Sequence, residues 1–224
     1  MTVSLSRRAA SEVIGTAFLL ATVVGSATLA ERLSGGNTGL ALLINSLCTG
    51  GALVALILAF SPLSGAHFNP LVTVLVARDG GLPWKDAPVY VVAQVVGALL
   101  GILLAHLMYE LPAFTLATQE RSGAAMVLSE AVATFGLLAV VKGCGKLARP
   151  ELVSFAVGGY VMAGYWFTKS GCFANPAVTF SRVFTNTPAG IRLVDAPGYF
   201  LGEALGLALA LALFTWLTPR DVAS

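Results

Sequence analysis

Charge is what this chain has least of: 13 Lys and Arg with 11 Asp and Glu among 224 residues, 11% in all, against a 57% share of apolar residues. A water-soluble domain carries about 25% charged and about 45–50% apolar residues. There is too little charge here to coat a soluble surface. Cysteine is scarce as well, and Cys48, Cys144 and Cys172 are too few and too scattered for a disulfide framework or a metal site. These shortages exclude a soluble enzyme, a secreted disulfide scaffold, a nucleic-acid module and a disordered tail, and they predict no cofactor. The formal charge of +2 says little about partners.

Long uncharged runs fill the space that charge leaves. Residues 8–30, 38–60, 87–109, 123–142, 151–168 and 196–217 each approach the roughly 17–25 residues that cross a ~30 Å hydrocarbon core as helix. The prediction is an all-α membrane protein with six transmembrane helices in a lipid bilayer. Arg7 and Arg8, ahead of an apolar run ending in small residues near Ala30, imitate a signal peptide. Glu12 inside that run, and its echo later in the chain, argue for a retained first span. With both termini cytoplasmic, Arg7, Arg8, Arg78, Lys85, Lys142, Lys146, Arg149 and Arg220 fall inside, and Arg32, Arg121, Lys169, Arg182 and Arg192 outside. That bias follows the positive-inside rule, and a bacterial inner membrane suits it.

An internal repeat organises the spans. Ser11-Glu12-Val13-Ile14-Gly15-Thr16-Ala17-Phe18-Leu19-Leu20-Ala21 matches Ser129-Glu130-Ala131-Val132-Ala133-Thr134-Phe135-Gly136-Leu137-Leu138-Ala139, sharing Ser, Glu, Thr, both Leu and Ala at the same spacing. Ser64-Gly65-Ala66-His67-Phe68-Asn69-Pro70 matches Ser170-Gly171-Cys172-Phe173-Ala174-Asn175-Pro176, and Tyr90, Ala93, Gln94 and Gly97 match Tyr199, Gly202, Glu203 and Gly206. Three matches in one order divide the chain into residues 1–110 and 111–224, two halves of one pore-forming domain. Three spans per half is an odd number, so the second copy is inverted in the membrane.

Each half carries an Asn-Pro between its second and third spans, followed by apolar residues: Leu71 to Ala77, and Ala177 to Phe184. Asn is a preferred N-cap, and Pro at the first helical position gives up an amide that lacks an intrahelical partner. The apolar runs are too short to cross, so each predicts a re-entrant half-helix, allowed where protein or a cavity covers its backbone. Inversion brings the two half-helices in from opposite faces, N-terminus to N-terminus near the midplane. Their positive dipole ends then oppose cations and protons, while a neutral molecule with lone pairs accepts hydrogen bonds from Asn69 and Asn175. An isolated Asn-Pro is usually a surface turn; two in equivalent repeat positions are not.

The paired Asn-Pro loops, the Glu-x-x-x-Thr start of each half and the Tyr-x-x-(Ala/Gly)-(Gln/Glu)-x-x-Gly third spans resemble the aquaporin, or major intrinsic protein, family over essentially the whole chain. The resemblance implies a homotetramer with one pore per subunit, passing water and small neutral solutes without catalysis. The family motif is Asn-Pro-Ala, kept in Asn175-Pro176-Ala177; the first loop reads Asn69-Pro70-Leu71, where Leu71 is expected to adjust the fit between the half-helices.

A second departure concerns the filter. Typical members place an Arg directly after the second motif, and here that position is Val178. By gapless counting, the other filter positions of the family fall on Thr49, on Ala163 or Gly164, and on Cys172. Such a filter has no large ring and no guanidinium, so the expectation is a wide pore for polyols or hydroxylated metalloid acids as well as water. A pore-blocked scaffold would show the same small apolar residues. The combination is similar to the aquaporin-like channels found with bacterial arsenic-resistance genes, which implies arsenite as a solute; an ordinary glycerol and water facilitator is the alternative within the family.

Arg182 lies four residues after Val178, nearly on the same helical face. It either presents a charge at the outer vestibule, favouring anionic or strongly polar solutes, or pairs with Asp195 or another loop acid. Intramembrane Glu12, Glu130 and Glu203 suggest an ion pathway by default, but the repeat-related pair Glu12 and Glu130 is read as bracing the loops by accepting their backbone amides, with Gln94 and Glu203 serving similarly. His67 is placed along the cytoplasmic half of the pore, His106 is read as structural, and Cys172 falls where some members of the family carry a mercury-sensitive thiol. A small secondary transporter also has inverted repeats and broken helices, but no cluster of carboxylates accompanies the Asn-Pro loops. No nucleophile with a base and no metal-ligand spacing is present to suggest an enzyme.

Overall fold

The structure, a computed structural model, describes residues 3–145, 149 and 151–217. Lys146, Arg220 and both chain ends lie outside the described residues. Eight α-helices occur among them: α1 Leu5–Leu33, α2 Thr38–Ser64, α3 Pro70–Arg78, α4 Ala87–Met108, α5 Ala124–Cys144, α6 Glu151–Phe167, α7 Pro176–Ser181 and α8 Ala196–Leu217. Five of the long helices meet the length and apolarity needed to cross a membrane, and α6, at 17 residues, is the short sixth. The expected spans are all present, with α1 and α2 longer than predicted. α1 begins early because its first turns stand clear of the apolar stretch, where Arg8 reaches Asp86 at 2.8 Å. α2 runs through Pro62 and stops at Gly65, whose φ of 89° ends the helix in the left-handed conformation that glycine tolerates.

The half-helices form where the Asn-Pro pairs predict them. Asn69 and Asn175 adopt extended backbone, and the side-chain oxygen of each accepts an amide of the first turn: Leu71 N at 2.9 Å, and Ala177 N at 3.1 Å. Pro70 and Pro176 open the helices without forfeiting a bond. α7 is shorter than the predicted run because residues Arg182–Phe184 tighten into a 3-10 turn.

Small residues allow the long helices to approach. α1 packs along α4 and α5 along α8, and the repeated glycines of the third spans sit at these crossings. A Cβ added to Gly97 would strike the carbonyl of Val13, and one added to Gly206 would lie 2.6 Å from the carbonyl oxygen of Ala131. Those partners are themselves repeat mates. α2 and α6 join the two halves, with Gly50 and Gly158 each against the other's carbonyl. In lipid there is no hydrophobic gain in bringing helices together, so close backbone packing of this kind supplies much of the association. Large apolar side chains such as Phe18, Leu47, Val92, Leu128 and Leu209 point outward instead.

Gly206→Val should therefore prise α8 from α5 and destabilise the fold by about 1–3 kcal/mol, as overpacking does. Thermal unfolding of the purified protein in detergent is expected to shift down. Gly159→Val, where an added Cβ meets open space, serves as the neutral reference.

Candidate functional site

The segments leading into the half-helices are held in a costly conformation. In Gly65-Ala66-His67-Phe68 the φ values at Gly65, Ala66 and Phe68 are 89°, 50° and 48°; in Gly171-Cys172-Phe173-Ala174 those at Gly171, Cys172 and Ala174 are 81°, 54° and 47°. Non-glycine residues pay roughly 1–2 kcal/mol each to enter this region. The compensation comes from carboxylates on the first helix of each half. Glu12 accepts His67 N at 3.0 Å and the Ser64 hydroxyl at 2.7 Å on one oxygen, and Phe68 N at 2.7 Å and Gln94 Nε2 at 2.8 Å on the other. Glu130 accepts Phe173 N at 3.0 Å and Ala174 N at 2.7 Å. All three intramembrane acids turn away from any open path, Glu203 accepting Asn175 N at 3.1 Å and the Thr179 hydroxyl at 2.6 Å.

Between the loops the two asparagines bind each other's strand. Asn69 Nδ2 donates to the carbonyl of Ala174 at 2.7 Å, and Asn175 Nδ2 to that of Phe68 at 2.8 Å. Each amide has two N–H groups. One is thus spent on locking the half-helices end to end, while both side chains still line a cavity of about 320 Å³. The other polar residues on its walls include Thr49, Ser61, His67, Tyr165, Cys172 and Arg182, and the rest is largely Val, Leu and Phe; no Asp or Glu lines it.

Of the residues singled out from sequence, Thr49, His67, Asn69, Cys172, Asn175, Val178 and Arg182 come together on this cavity. The others do not. Pro70 and Ala177 are buried in helix packing. Leu71 belongs to a cluster with Leu75, Leu138 and Ala210, towards α5 and α8 and off the cavity wall. Ala163 is exposed on the outer face of α6, and Gly164 is covered by Cys172, whose Sγ would lie 2.5 Å from an added Cβ. Neither lines the cavity. The residue of α6 that does so is Tyr165, its hydroxyl 3.1 Å from that of Thr49. A sequence signal for it exists: Val153, Val157, Val161 and Tyr165 recur every fourth residue and form one lining stripe.

Arg182 corrects the filter expectation further. It is only 5% exposed; its Nε donates to the Ala189 carbonyl, and its guanidinium carbon stands 3.4 Å from the centre of the Phe173 ring. It does not pair with Asp195, which is taken by Arg192 at 2.9 Å and by the Arg121 amide at 2.8 Å. Arg192 likewise draws the Asp195 carboxyl below the usual carboxylate range. A second cavity, about 300 Å³, lies at the end of the molecule formed by the α1–α2 turn and the α7–α8 loop, and the linings of the two cavities share only Tyr165 and Arg182. These two residues are the partition. The path therefore has both a ring and a guanidinium: the ring comes from Tyr165 on α6, one or two residues past the expected Gly164 or Ala163 and bonded to Thr49 instead of standing in its place, and the guanidinium comes from four residues after Val178. Arg182 supplies the charge that Val178 lacks because its long side chain leans back towards the start of its helix. His106 takes no part, both ring nitrogens being engaged by the Pro112 carbonyl and the Thr185 hydroxyl.

Removing the loop brace is expected to be severe. Glu130→Ala leaves the amides of Phe173 and Ala174 without their acceptor, at about 1–3 kcal/mol for each. A lowered unfolding temperature should appear together with loss of solute flux in vesicles, and a variant with wild-type stability would contradict the bracing role.

The geometry can be set beside known proteins. The family model described as "Major intrinsic protein" matches residues 1–158. The aquaglyceroporin AqpS of Rhizobium meliloti (strain 1021) is 48% identical over 213 residues, covering 95% of this chain and 91% of that protein. Aquaporin NIP1-2 of Oryza sativa subsp. japonica is 33% identical over 229 residues, covering 96% and 74%. Among solved structures, the aquaglyceroporin from Plasmodium falciparum superposes with a TM-score of 0.71 at 22% identity over 98% of each chain. The fold of six spanning helices and two half-helices, the paired Asn-Pro caps and these likenesses lead to one conclusion: the chain belongs to the major intrinsic protein family.

Proposed function

We propose that the protein is a passive channel for water and small neutral solutes of glycerol size, with hydroxylated metalloid acids such as arsenite within its range. The observation that carries the reading is the reciprocal bonding of Asn69 and Asn175 at the junction of two half-helix N-termini, inside a cavity lined by no acid. Two positive helix ends of about half a charge each repel cations there, and the remaining amide N–H groups offer hydrogen bonds to a solute's oxygens. Valine and leucine walls suit the carbon face of a polyol. The AqpS protein of R. meliloti, named an aquaglyceroporin, supports extending that range to this chain.

Solute size is set at the partition. Tyr165, held by Thr49, closes one side, and Val178 and Cys172 leave the other uncrowded. Each half of the chain, 1–110 and 111–224, contributes one asparagine to a single path, so the halves act as one pore-forming domain. The assembly is a homotetramer in the cell membrane, of bacterial inner-membrane type, with both termini in the cytoplasm; the positive-inside distribution supports the orientation.

Vesicles containing the protein should shrink and reswell under gradients of glycerol and of arsenite, and saturable, gradient-coupled uptake would point to a carrier instead. Val178→Arg adds a second guanidinium beside the first and is expected to slow glycerol by roughly tenfold, a barrier about 1.4 kcal/mol higher. Unchanged glycerol flux in that variant would remove Val178 from the constriction. Mercuric ion should block flux through Cys172, which lines the cavity, with Cys172→Ser relieving the block.

A further inference from the structure

A channel for neutral solutes leaves Arg182 unexplained. Its Nε is committed to Ala189, its face is stacked on Phe173, and its terminal nitrogens make no hydrogen bond among the described residues. No carboxylate pairs with it. Asp195 and Glu120 both go to Arg192, Asp86 to Arg8, Asp79 to Lys142 and Glu151 to Arg149. Glu130 attracts this guanidinium through space without bonding to it, and donors left unbonded beside two cavities are free to hold a ligand that carries negative charge.

The surroundings point the same way. Arg121 stands on the same Phe173 ring, 5.4 Å from its centre, and lines the second cavity; its donors are pinned to the carbonyls of Gly190, Pro188 and Ser170. Two cations thus flank one ring at the partition. The single acid in either lining is Glu31, exposed at the α1–α2 end. Beyond the partition the largely aliphatic walls hydrate an ion poorly, so an anion attracted here has reason to stay.

Resting on the channel reading, we propose that the partition is a binding site for small singly charged carboxylates, held by the terminal nitrogens of Arg182 with Arg121 adding charge from the second cavity. A guanidinium matches a carboxylate with two parallel N–H···O bonds. Such an anion occupies the path that neutral solutes use and competes with them.

Glycerate, which is glycerol with one end oxidised to a carboxylate, is a suitable probe. In vesicles at constant ionic strength, external glycerate should slow glycerol flux saturably, while chloride and the neutral analogue glyceramide should not. Each variant is referred to its own uninhibited flux. Arg182→Gln should weaken apparent glycerate affinity by about tenfold or more, and Arg182→Lys by less, since it keeps the charge and loses the fork. Unaltered glycerol flux in wild type, equal inhibition by glyceramide, or undiminished affinity in both variants would overturn the proposal. Should neither variant fold, the wild-type contrast between glycerate and glyceramide decides. Binding of radiolabelled glycerate to the purified protein separates the two readings: binding without glycerol flux overturns the channel alone, and flux with neither binding nor competition overturns the site alone.

Discussion

A carboxylate bonded to two consecutive loop amides is the interaction on which the rest of this molecule depends. Within a bilayer an unsatisfied peptide group has no water to turn to, and the chain nonetheless leaves helical structure twice at membrane depth. Glu12 and Glu130 make that possible, each from the middle of an α-helix whose own backbone needs nothing from it. With those amides held, the loops can keep left-handed residues at Ala66, Phe68, Cys172 and Ala174. With the loops held, Asn69 and Asn175 sit close enough to bond across the repeat. The half-helices then have nowhere to move, and their N-termini stay aimed at one point.

The two halves solve the same problem with slightly different chemistry. Gln94 donates to both Glu12 and the Thr73 hydroxyl, and Thr73 in turn donates to the Asn69 carbonyl. In the second half the Thr179 hydroxyl turns instead to Glu203 and donates to it. One amide-for-acid exchange redirects a hydroxyl without moving the half-helix. It also lets Glu203 take the Asn175 amide, a bond with no counterpart at Gln94.

How much of this is legible in the sequence differs between levels. The six spans and two half-helices follow from uncharged runs and from Asn-Pro pairs in repeat register, because hydrocarbon thickness and N-cap chemistry act locally. The bracing role of Glu12 and Glu130 follows from the repeat, since two buried acids at matching positions need a shared backbone partner. The lining of α6 departs from the expected positions for a physical reason. A count along the chain gives depth but not rotation, and each residue turns a helix by about 100°, so the two steps from Ala163 to Tyr165 lead from the outer face to the path. The place of Arg182 is less legible still, because the reach of a long side chain against Phe173 depends on the 3-10 turn that follows α7, and no local pattern announces that turn.

That displacement of the arginine changes what the pore's electrostatics amount to. A charge directly after the second Asn-Pro would stand within the first turn of α7, where it adds to the dipole end of the same helix. Arg182 has its backbone a turn further along, at the end of a six-residue helix, and its guanidinium reaches back to the Phe173 ring. Its bond to the Ala189 carbonyl and its stacking on Phe173 replace part of the water it loses. The positive field is therefore spread along the path from the asparagines to the partition, with no acid on the wall between them. In the channel proposed above, that arrangement would set the barrier to cations over a distance instead of at one ring of atoms, and would let the small residues Val178 and Cys172 leave space beside the second asparagine while positive charge still guards it.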